Sequence, residues 1–231
     1  MDIGLTLEVL AHLRQNLLSL TLEVPPITSR ASYPHHTPSE IQPKTTTFEP
    51  LGELTIHVLD DIGPCIDSHP WNTVQMEIFE RLECPSLTSL VLRSRAVSHP
   101  DFTAKQGQPH AVAVTFRDFI HRSSLSTQLR VFVLVGFKMV DRQVLEVIEK
   151  IPGVWELKIG EWAGYEMATL AEPTIFTSLF FQRLKRDAID AAAFLPELKV
   201  LRVRYYREFG KEIEELLENL GRSVEVHVVD H

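Results

Sequence analysis

The chain has 231 residues, of which 44% are hydrophobic and 23% are charged, and its formal net charge is −8. These values are typical of a soluble globular domain or of a repeat stack, and the acidic excess argues against general nucleic-acid binding. No apolar run approaches the ~20 residues of a membrane-spanning helix, and the amino terminus lacks the basic cluster of a signal peptide. We therefore expect a protein of the cytoplasm or nucleus without nucleic-acid or membrane partners.

The first predicted elements are a helix at 3–15, with apolar residues at three- and four-residue steps, and a strand at 17–23. Residues 24–50 contain six prolines and are predicted to form a long loop insertion. Further loops are expected at 94–111 and 161–173, and we treat 1–231 as a single domain. The remaining strands are predicted at 53–59, 89–93, 129–135, 154–159, 198–204 and 224–229. The remaining helices are predicted at 71–82, 113–122, between Asp141 (as N-cap) and Pro152, 174–187 and 209–220.

A six-residue pattern recurs along the chain: an aliphatic residue, two variable residues, an aliphatic or aromatic residue, one variable residue and another aliphatic residue. It is the strand signature of a leucine-rich repeat, in which each turn buries its apolar face against the next. The six copies are Leu17–Leu20–Leu22, Leu51–Leu54–Ile56, Leu87–Leu90–Leu92, Leu129–Phe132–Leu134, Val154–Leu157–Ile159 and Leu198–Leu201–Val203.

The spacing of the repeats favours a stack of turns. Leu129 and Val154 are 25 residues apart, within the 20–29 typical of one leucine-rich repeat, whereas the other intervals of 34, 36, 42 and 44 residues imply inserted loops. We predict an α/β fold: an irregular leucine-rich-repeat solenoid with a parallel sheet on the concave side and helices on the convex side. The alternative is a doubly wound open sheet, whose strands would be continuous apolar runs buried on both faces.

The repeat motifs resemble the leucine-rich regions of fungal F-box-like proteins of the mushroom type. The residues that carry the resemblance are Cys84-Pro85-Ser86-Leu87-Thr88-Ser89-Leu90, Phe116 through Phe119 and Ile120 to Leu129, Gln128-Leu129-Arg130-Val131-Phe132 and Leu195-Pro196-Glu197-Leu198-Lys199-Val200-Leu201. The resemblance covers most of residues 50–231. It implies a module that selects substrates for a cullin-type ubiquitin ligase.

Those relatives carry an N-terminal F-box, a short helical module that docks onto the adaptor subunit of the ligase. The present chain begins directly on a predicted helix and repeat, so we expect no F-box within it. A ligase adaptor is accordingly expected as a partner only if an F-box segment lies upstream of Met1.

No catalytic motif stands out, since G-x-S-x-G, P-loop, G-x-G-x-x-G and H-E-x-x-H patterns are all missing from the sequence. Cys65 and Cys84 form no CxxC pair and are expected to be buried reduced thiols. Other potential metal ligands lack the spacing of a known site and are expected in turns and polar loops: Asp60, Asp61, Asp67, His35, His36, His57 and His69. We expect no enzyme and no cofactor.

The variable positions of the strands point away from the core, because side chains alternate along a strand. Between the last two aliphatic residues the series is Thr21, Thr55, Val91, Val133, Lys158 and Arg202; at the next outward position it is Glu23, His57, Arg93, Val135, Gly160 and Arg204. The face is thus predicted to be apolar in the middle and basic at its carboxyl-terminal end. An exposed apolar strip beside a basic cluster suits an acidic or phosphorylated peptide, while solvated charge and loop-covered valines are the alternative.

Three aromatic residues near the last strands could have either of two roles. Trp155, Trp162 and Tyr206 either anchor a partner or fill the core and cover loops. The expected function is protein–protein recognition, with a stand-alone scaffold and an enzyme of unrecognised type as alternatives. The candidate partner-binding residues are His57, Arg93, Val133, Val135, Lys158, Arg202, Arg204 and Tyr206.

Overall fold

In a computed structural model, the described part of the chain comprises residues 10, 12, 14–24, 45–58, 78–94, 109–136, 139–160, 175–184, 194–206, 210–218 and 224–229. The strands are β1 (Ser19–Val24), β2 (Thr46–Thr47), β3 (Glu53–Val58), β4 (Leu82–Glu83), β5 (Ser89–Ser94), β6 (Val131–Val135), β7 (Glu156–Gly160), β8 (Val200–Tyr206) and β9 (Val224–Val229). The helices are α1 (Pro109–Arg122), α2 (Asp141–Ile148), α3 (Ser178–Leu184) and α4 (Gly210–Glu218).

Seven strands form one sheet in the order β1-β3-β5-β6-β7-β8-β9, and every neighbouring pair is parallel. The protein is therefore α/β with a parallel central sheet and several helices. The strand order follows the chain, without the reversal of order that marks a doubly wound sheet. The sheet is not curled, so the predicted concave and convex sides are not confirmed; the sheet has an open face and a face covered by helices, the helix face.

In all six copies, the strand begins at the same position of the repeated sequence pattern. Each of the six strands begins two residues after the leading aliphatic residue of its repeat. The register then aligns the second aliphatic positions, which are Leu20, Leu54, Leu90, Phe132, Leu157 and Leu201. Because residues two apart share a face, the third aliphatic positions follow on the same side of the sheet.

The core lies between the helix face of the sheet and the helices. The inward strand residues and the apolar faces of the helices form a single buried cluster. Its helical members are Phe116, Phe119 and Ile120 of α1, Val144, Leu145, Val147 and Ile148 of α2, Phe180, Phe181 and Leu184 of α3, and Ile213 and Leu217 of α4. Consecutive helices pack against one another, from α1 to α4. Each of these helices therefore packs against its neighbours in the chain.

The same pair of backbone hydrogen bonds joins neighbouring strands of the large sheet at the residues just before each strand begins. The carbonyl of Leu18 accepts hydrogen bonds from the N–H groups of Gly52 and Glu53, at 2.9 and 3.2 Å. The carbonyls of Gly52, Thr88, Arg130 and Trp155 each accept two such bonds from the following turn, all between 2.8 and 3.0 Å. We call Leu18, Gly52, Thr88, Arg130, Trp155 and Lys199 the amino-edge row. The same arrangement, one carbonyl that accepts two N–H groups, thus occurs at five successive places, which we call junctions.

A buried apolar residue and a short turn precede each of the last five leading aliphatic residues. The buried residues are Phe48, Cys84, Leu125, Ile151 and Leu195. Their carbonyls accept the N–H of the leading residue, for example from Leu87 to Cys84 at 3.2 Å. Cys84 is buried and reduced, as the sequence predicts for this thiol, while Cys65 lies outside the described residues.

Two predicted loops contain regular structure at their ends. Of residues 24–50, Val24 ends β1, and residues 45–50 include β2, which pairs in parallel with β4 in a second sheet. Helix α1 begins at Pro109, inside the 94–111 loop, where a proline is tolerated because the first helical N–H needs no partner. The 161–173 loop, most of the 3–15 helix and residues 71–77 of the 71–82 helix lie outside the described residues.

The N-cap of α2 differs from the predicted Asp141. The cap position is Val140, whose N–H donates to Gln143 Oε1 at 3.0 Å, and Asp141 is the first helical residue. Thr177 Oγ1 donates to Asp141 Oδ2 at 2.6 Å and accepts the N–H of Phe180 at 3.3 Å. One threonine therefore caps α3 and links it to the start of α2.

Arg122, the last residue of α1, closes the helical turn at 78–81. Its guanidinium donates to the carbonyl of Leu82 at 3.0 and 3.2 Å and also to the carbonyl of Phe79. A cation suits these carbonyls because they form the negative end of the helical turn. Nearby, the N–H of Cys84 donates to the buried Ser123 hydroxyl at 3.0 Å. Helix α1 is thus fixed to the segment that leads into β5.

Candidate functional site

The strand register brings the predicted outward residues together on the open face. Thr21, Thr55, Val91, Val133, Lys158 and Arg202 form one row across six strands, and Glu23, His57, Arg93, Val135, Gly160 and Arg204 form the next. A third row begins the strands and contains Ser19, Glu53, Ser89, Val131, Glu156 and Val200. Neighbouring strands are about 4.8 Å apart, so each row is a continuous line of side chains.

Lys158, Arg202 and Arg204 are close neighbours on β7 and β8, and we call them the basic cluster. Lys158 and Arg202 lie directly opposite each other, and Arg204 follows two residues later on the same face. Arg204 is exposed, while Lys158 and Arg202 are half-buried. Like charges directly opposite each other on a sheet repel, so this arrangement attracts anions.

Two carboxylates lie beside these cations in the described residues of β7, β8 and β9: Glu156, and Glu225, which the register places directly opposite Arg202. Glu156 forms an ion pair with Arg202, and their side chains are 30% and 35% exposed. Against these two acids, residues 155–160 and 198–206 contain Lys158, Lys199, Arg202 and Arg204. The local excess of positive charge contrasts with the net charge of −8 of the whole chain.

The predicted apolar strip is present, but much of it is covered. Val133 and Val135 are each only 6% exposed, although they lie outside the buried core cluster. The expectation of an exposed strip at these two valines is therefore wrong, and the half-buried Val91 and Val131 offer more apolar surface. Gly160 follows Val135 in its row, and a Cβ there would lie 3.0 Å from Val135 Cγ1 and 3.3 Å from Arg204 Cβ. The missing side chain lets Val135 and Arg204 approach each other.

The other predicted contact residues are spread along the face. His57 is half-buried on β3, and Arg93 is exposed on β5. Tyr206 ends β8 opposite Val229, and its side chain lies outside the described residues, as does Trp162. The register thus joins Arg93 to the basic cluster only through Val135 and Gly160.

Trp155 is half-exposed rather than a core residue. Its side chain is 41% exposed in the amino-edge row, next to the start of the open face. The Arg130 guanidinium carbon lies 4.8 Å from the centre of the ring, and Lys199 Nζ lies 4.3 Å from it. Because these residues come from the preceding and following turns, cation–π contacts hold the indole in place.

Arg130, Lys199 and Glu156 are site residues that were not predicted from the sequence. All three occupy fixed positions after the leading aliphatic residue, so aligning the first two positions of each repeat would have found them. With Arg130 and Lys199 included, positive charge extends from the amino-edge row across the face.

The described residues outside the basic cluster were also compared with the requirements of metal binding and nucleophilic catalysis. In the described ranges, no group of three or more His, Cys, Asp or Glu side chains is arranged to hold a metal ion. Burial raises the pKa of the Cys84 thiol to about 12, which makes it a poor nucleophile. Burial and the nearby Glu214 raise the pKa of Tyr205, whose hydroxyl donates to Glu214 at 3.3 Å on the helix side. Among the described helices, none has the length and apolar composition to cross a membrane.

Comparison of the chain with protein-family models, with curated proteins and with solved structures finds no match. Inferences about its function therefore depend on the open face itself and on the resemblance of the repeat motifs.

Proposed function

We propose that this protein is a non-catalytic recognition module that binds an acidic or phosphorylated segment of another protein on the open face of its sheet. The observation that carries the proposal is the basic cluster, three cations on two adjacent strands, beside which the described residues place two carboxylates, Glu156 and Glu225. Guanidinium groups bind carboxylates and phosphates through paired hydrogen bonds, so two arginines two residues apart suit such ligands.

The architecture suits this role. We propose that the chain is a short, irregular leucine-rich solenoid, a proposal supported by the chain-ordered parallel strands, the helices on one face and the five equivalent backbone junctions. Stacked turns of this kind offer a broad sheet surface whose outward residues can vary without disturbing the core. Trp155, held between Arg130 and Lys199, would be the aromatic anchor at the edge of the site.

Peptide binding tests the proposal. We would measure fluorescence anisotropy with three labelled peptides that share aliphatic residues and differ in having three glutamates, three phosphoserines or three serines. We expect binding of the two charged peptides and weakening by salt, because surface charges are screened over about 8 Å at physiological ionic strength.

Arg204→Glu should weaken this binding by about tenfold or more, since it replaces an exposed attractive charge by a repulsive one. Arg142→Glu is the matched control, because Arg142 is exposed on α2 and the change in net charge is identical. Equal effects of the two variants, or equal binding of the serine peptide, would contradict the proposal. A preference for single-stranded DNA or RNA over every peptide would also contradict it.

For the cellular role, we propose substrate selection for a cullin-type ubiquitin ligase, with a stand-alone scaffold as the competing role. Its support is the resemblance of residues 50–231 to F-box-like proteins. The test is to purify the full-length gene product from its own cells under ligase inhibition and to quantify cullin and adaptor subunits. Their absence alongside a bound acidic partner would favour the scaffold.

A further inference from the structure

Strands β1 and β3 of the open face and strands β7 and β8 carry opposite charges. Glu23 on β1 and Glu53 on β3 are exposed, and residues 17–24 and 51–58 contain no lysine or arginine. The cross-strand neighbours of Glu53 are Ser19 and Ser89, so no cation lies directly beside it in its row. The basic cluster lies on β7 and β8, next to the edge strand β9, whose Glu225 and His227 are opposite Arg202 and Arg204. The three cations outnumber the neighbouring acids Glu156 and Glu225, so the face is polarised across its strands.

The charged ends are far enough apart to act independently. Four strand spacings separate β3 from β8, and five separate β1 from β8. At about 4.8 Å per spacing, the acidic and basic groups lie roughly 19–24 Å apart. This distance exceeds twice the screening length of about 8 Å at physiological ionic strength, so each end attracts its own counter-charge.

Resting on the function proposed above, we infer that the partner segment lies across the strands in one orientation. Its carboxylates or phosphates contact the basic cluster, and its lysines or arginines contact Glu53 or Glu23, which the register places about 13 Å apart along the strand direction. An extended chain advances about 3.3 Å per residue, so the two charged groups of the partner are separated by about six or seven residues. The residues between them pass over Val91 and Val131.

A polarised face also suits a second copy of this chain turned by a two-fold axis. The area argues for a segment instead. The rows span about 24 Å across six strands and about 13 Å along each strand, or roughly 300 Å². A stable interface buries about 800 Å² on each partner, so this face is too small to hold two copies together.

Three labelled peptides test the inference. The two-ended peptide has three glutamates, six neutral residues and three lysines; the short-spaced peptide keeps both charged groups but has two neutral residues. The acid-only peptide replaces the lysines of the first by serines. We expect the two-ended peptide to bind about three- to tenfold more tightly than either of the others, since each exposed ion pair contributes about two- to fivefold in affinity.

The double variant Glu23→Lys/Glu53→Lys should weaken the two-ended peptide by about tenfold and should not weaken the acid-only peptide. Glu146→Lys/Glu218→Lys makes the same change in net charge on exposed residues of α2 and α4 and should not affect the preference between peptides. Circular dichroism and melting temperature verify that each variant is folded.

The outcomes separate the two proposals. Equal binding of the two-ended and acid-only peptides would overturn this inference and leave the basic cluster as the site. Failure of all three peptides to bind would overturn the proposed function as well. A dimer in light scattering that is dissociated by Glu23→Lys/Glu53→Lys would overturn the inference in favour of self-association.

Discussion

Gly153 lies close to the backbone of Thr127, and replacing it by alanine should destabilise the protein. A Cβ at this position would lie 2.9 Å from the carbonyl oxygen of Thr127 and 3.1 Å from its Cα and carbonyl carbon. These are backbone atoms that cannot rotate away. The N–H of Gly153 donates to Ser126 at 3.2 Å, and its carbonyl accepts from Arg130 at 2.8 Å, so the glycine is held on both sides.

The expected magnitude is the difference between two effects. Overpacking costs about 1–3 kcal/mol. Alanine restricts the unfolded chain and returns about 0.4–1 kcal/mol. We therefore expect Gly153→Ala to lower the free energy of unfolding by about 1–2 kcal/mol net. For a domain of this size each kcal/mol corresponds to about 2–4 °C in melting temperature.

Gly52→Ala is the matched control. Its Cβ would lie 3.7 Å from the carbonyl oxygen of Leu18, an ordinary van der Waals contact. We expect this variant to be neutral or more stable by about 0.4–1 kcal/mol. Urea denaturation followed by circular dichroism measures both, with an unchanged m-value as the sign of an intact two-state transition. If Gly153→Ala were as stable as Gly52→Ala, the turns would not be in contact at Thr127 and the reasoning would fail.

Three further predictions concern the helix side. Arg122→Ala should cost about 1.5–3 kcal/mol in urea denaturation, because charge-assisted bonds to two carbonyls are lost, whereas Arg117→Ala on the exposed side of α1 should cost less than about 0.5 kcal/mol. Thr177→Ala should cost about 1 kcal/mol and Thr177→Ser much less, since serine keeps the capping oxygen; equal losses would exclude the capping role. The Cys84 thiol has its pKa raised by burial from 9.0 to about 12, so the folded state holds this proton more tightly than the unfolded chain does. Stability should therefore decline as pH rises above about 9, and the decline should be shallower in Cys84→Ala; parallel pH profiles would refute this.

The sequence predicts the repeat phase and the rows of the open face because both depend on short-range periodicity. Side chains alternate with a period of two, and the leading aliphatic residue marks where the alternation begins. Aligning Leu87 with Leu129 therefore places Val91 opposite Val133, and aligning Val154 with Leu198 places Lys158 opposite Arg202.

Features that depend on contacts between turns were not predicted. The β2–β4 pair has two residues in each strand, too few for any periodicity. The exposure of Trp155 depends on Arg130 and Lys199, which lie in the preceding and following turns of the chain. The burial of Val133 and Val135 on the open face likewise has no signal in the alternation of their strand, which reads as apolar on both sides.

The recurring backbone junction also bears on how this chain tolerates changes in length. Each junction fixes the alignment of two neighbouring strands with one carbonyl before one strand and two consecutive N–H groups at the start of the next, independently of the chain that connects them. Intervals as different as 25 and 44 residues therefore end in the same alignment. Lengthening a connection costs only about 0.6 kcal/mol for each doubling of a flexible loop, so insertions can diversify the rim of the sheet while its rows of side chains stay in line.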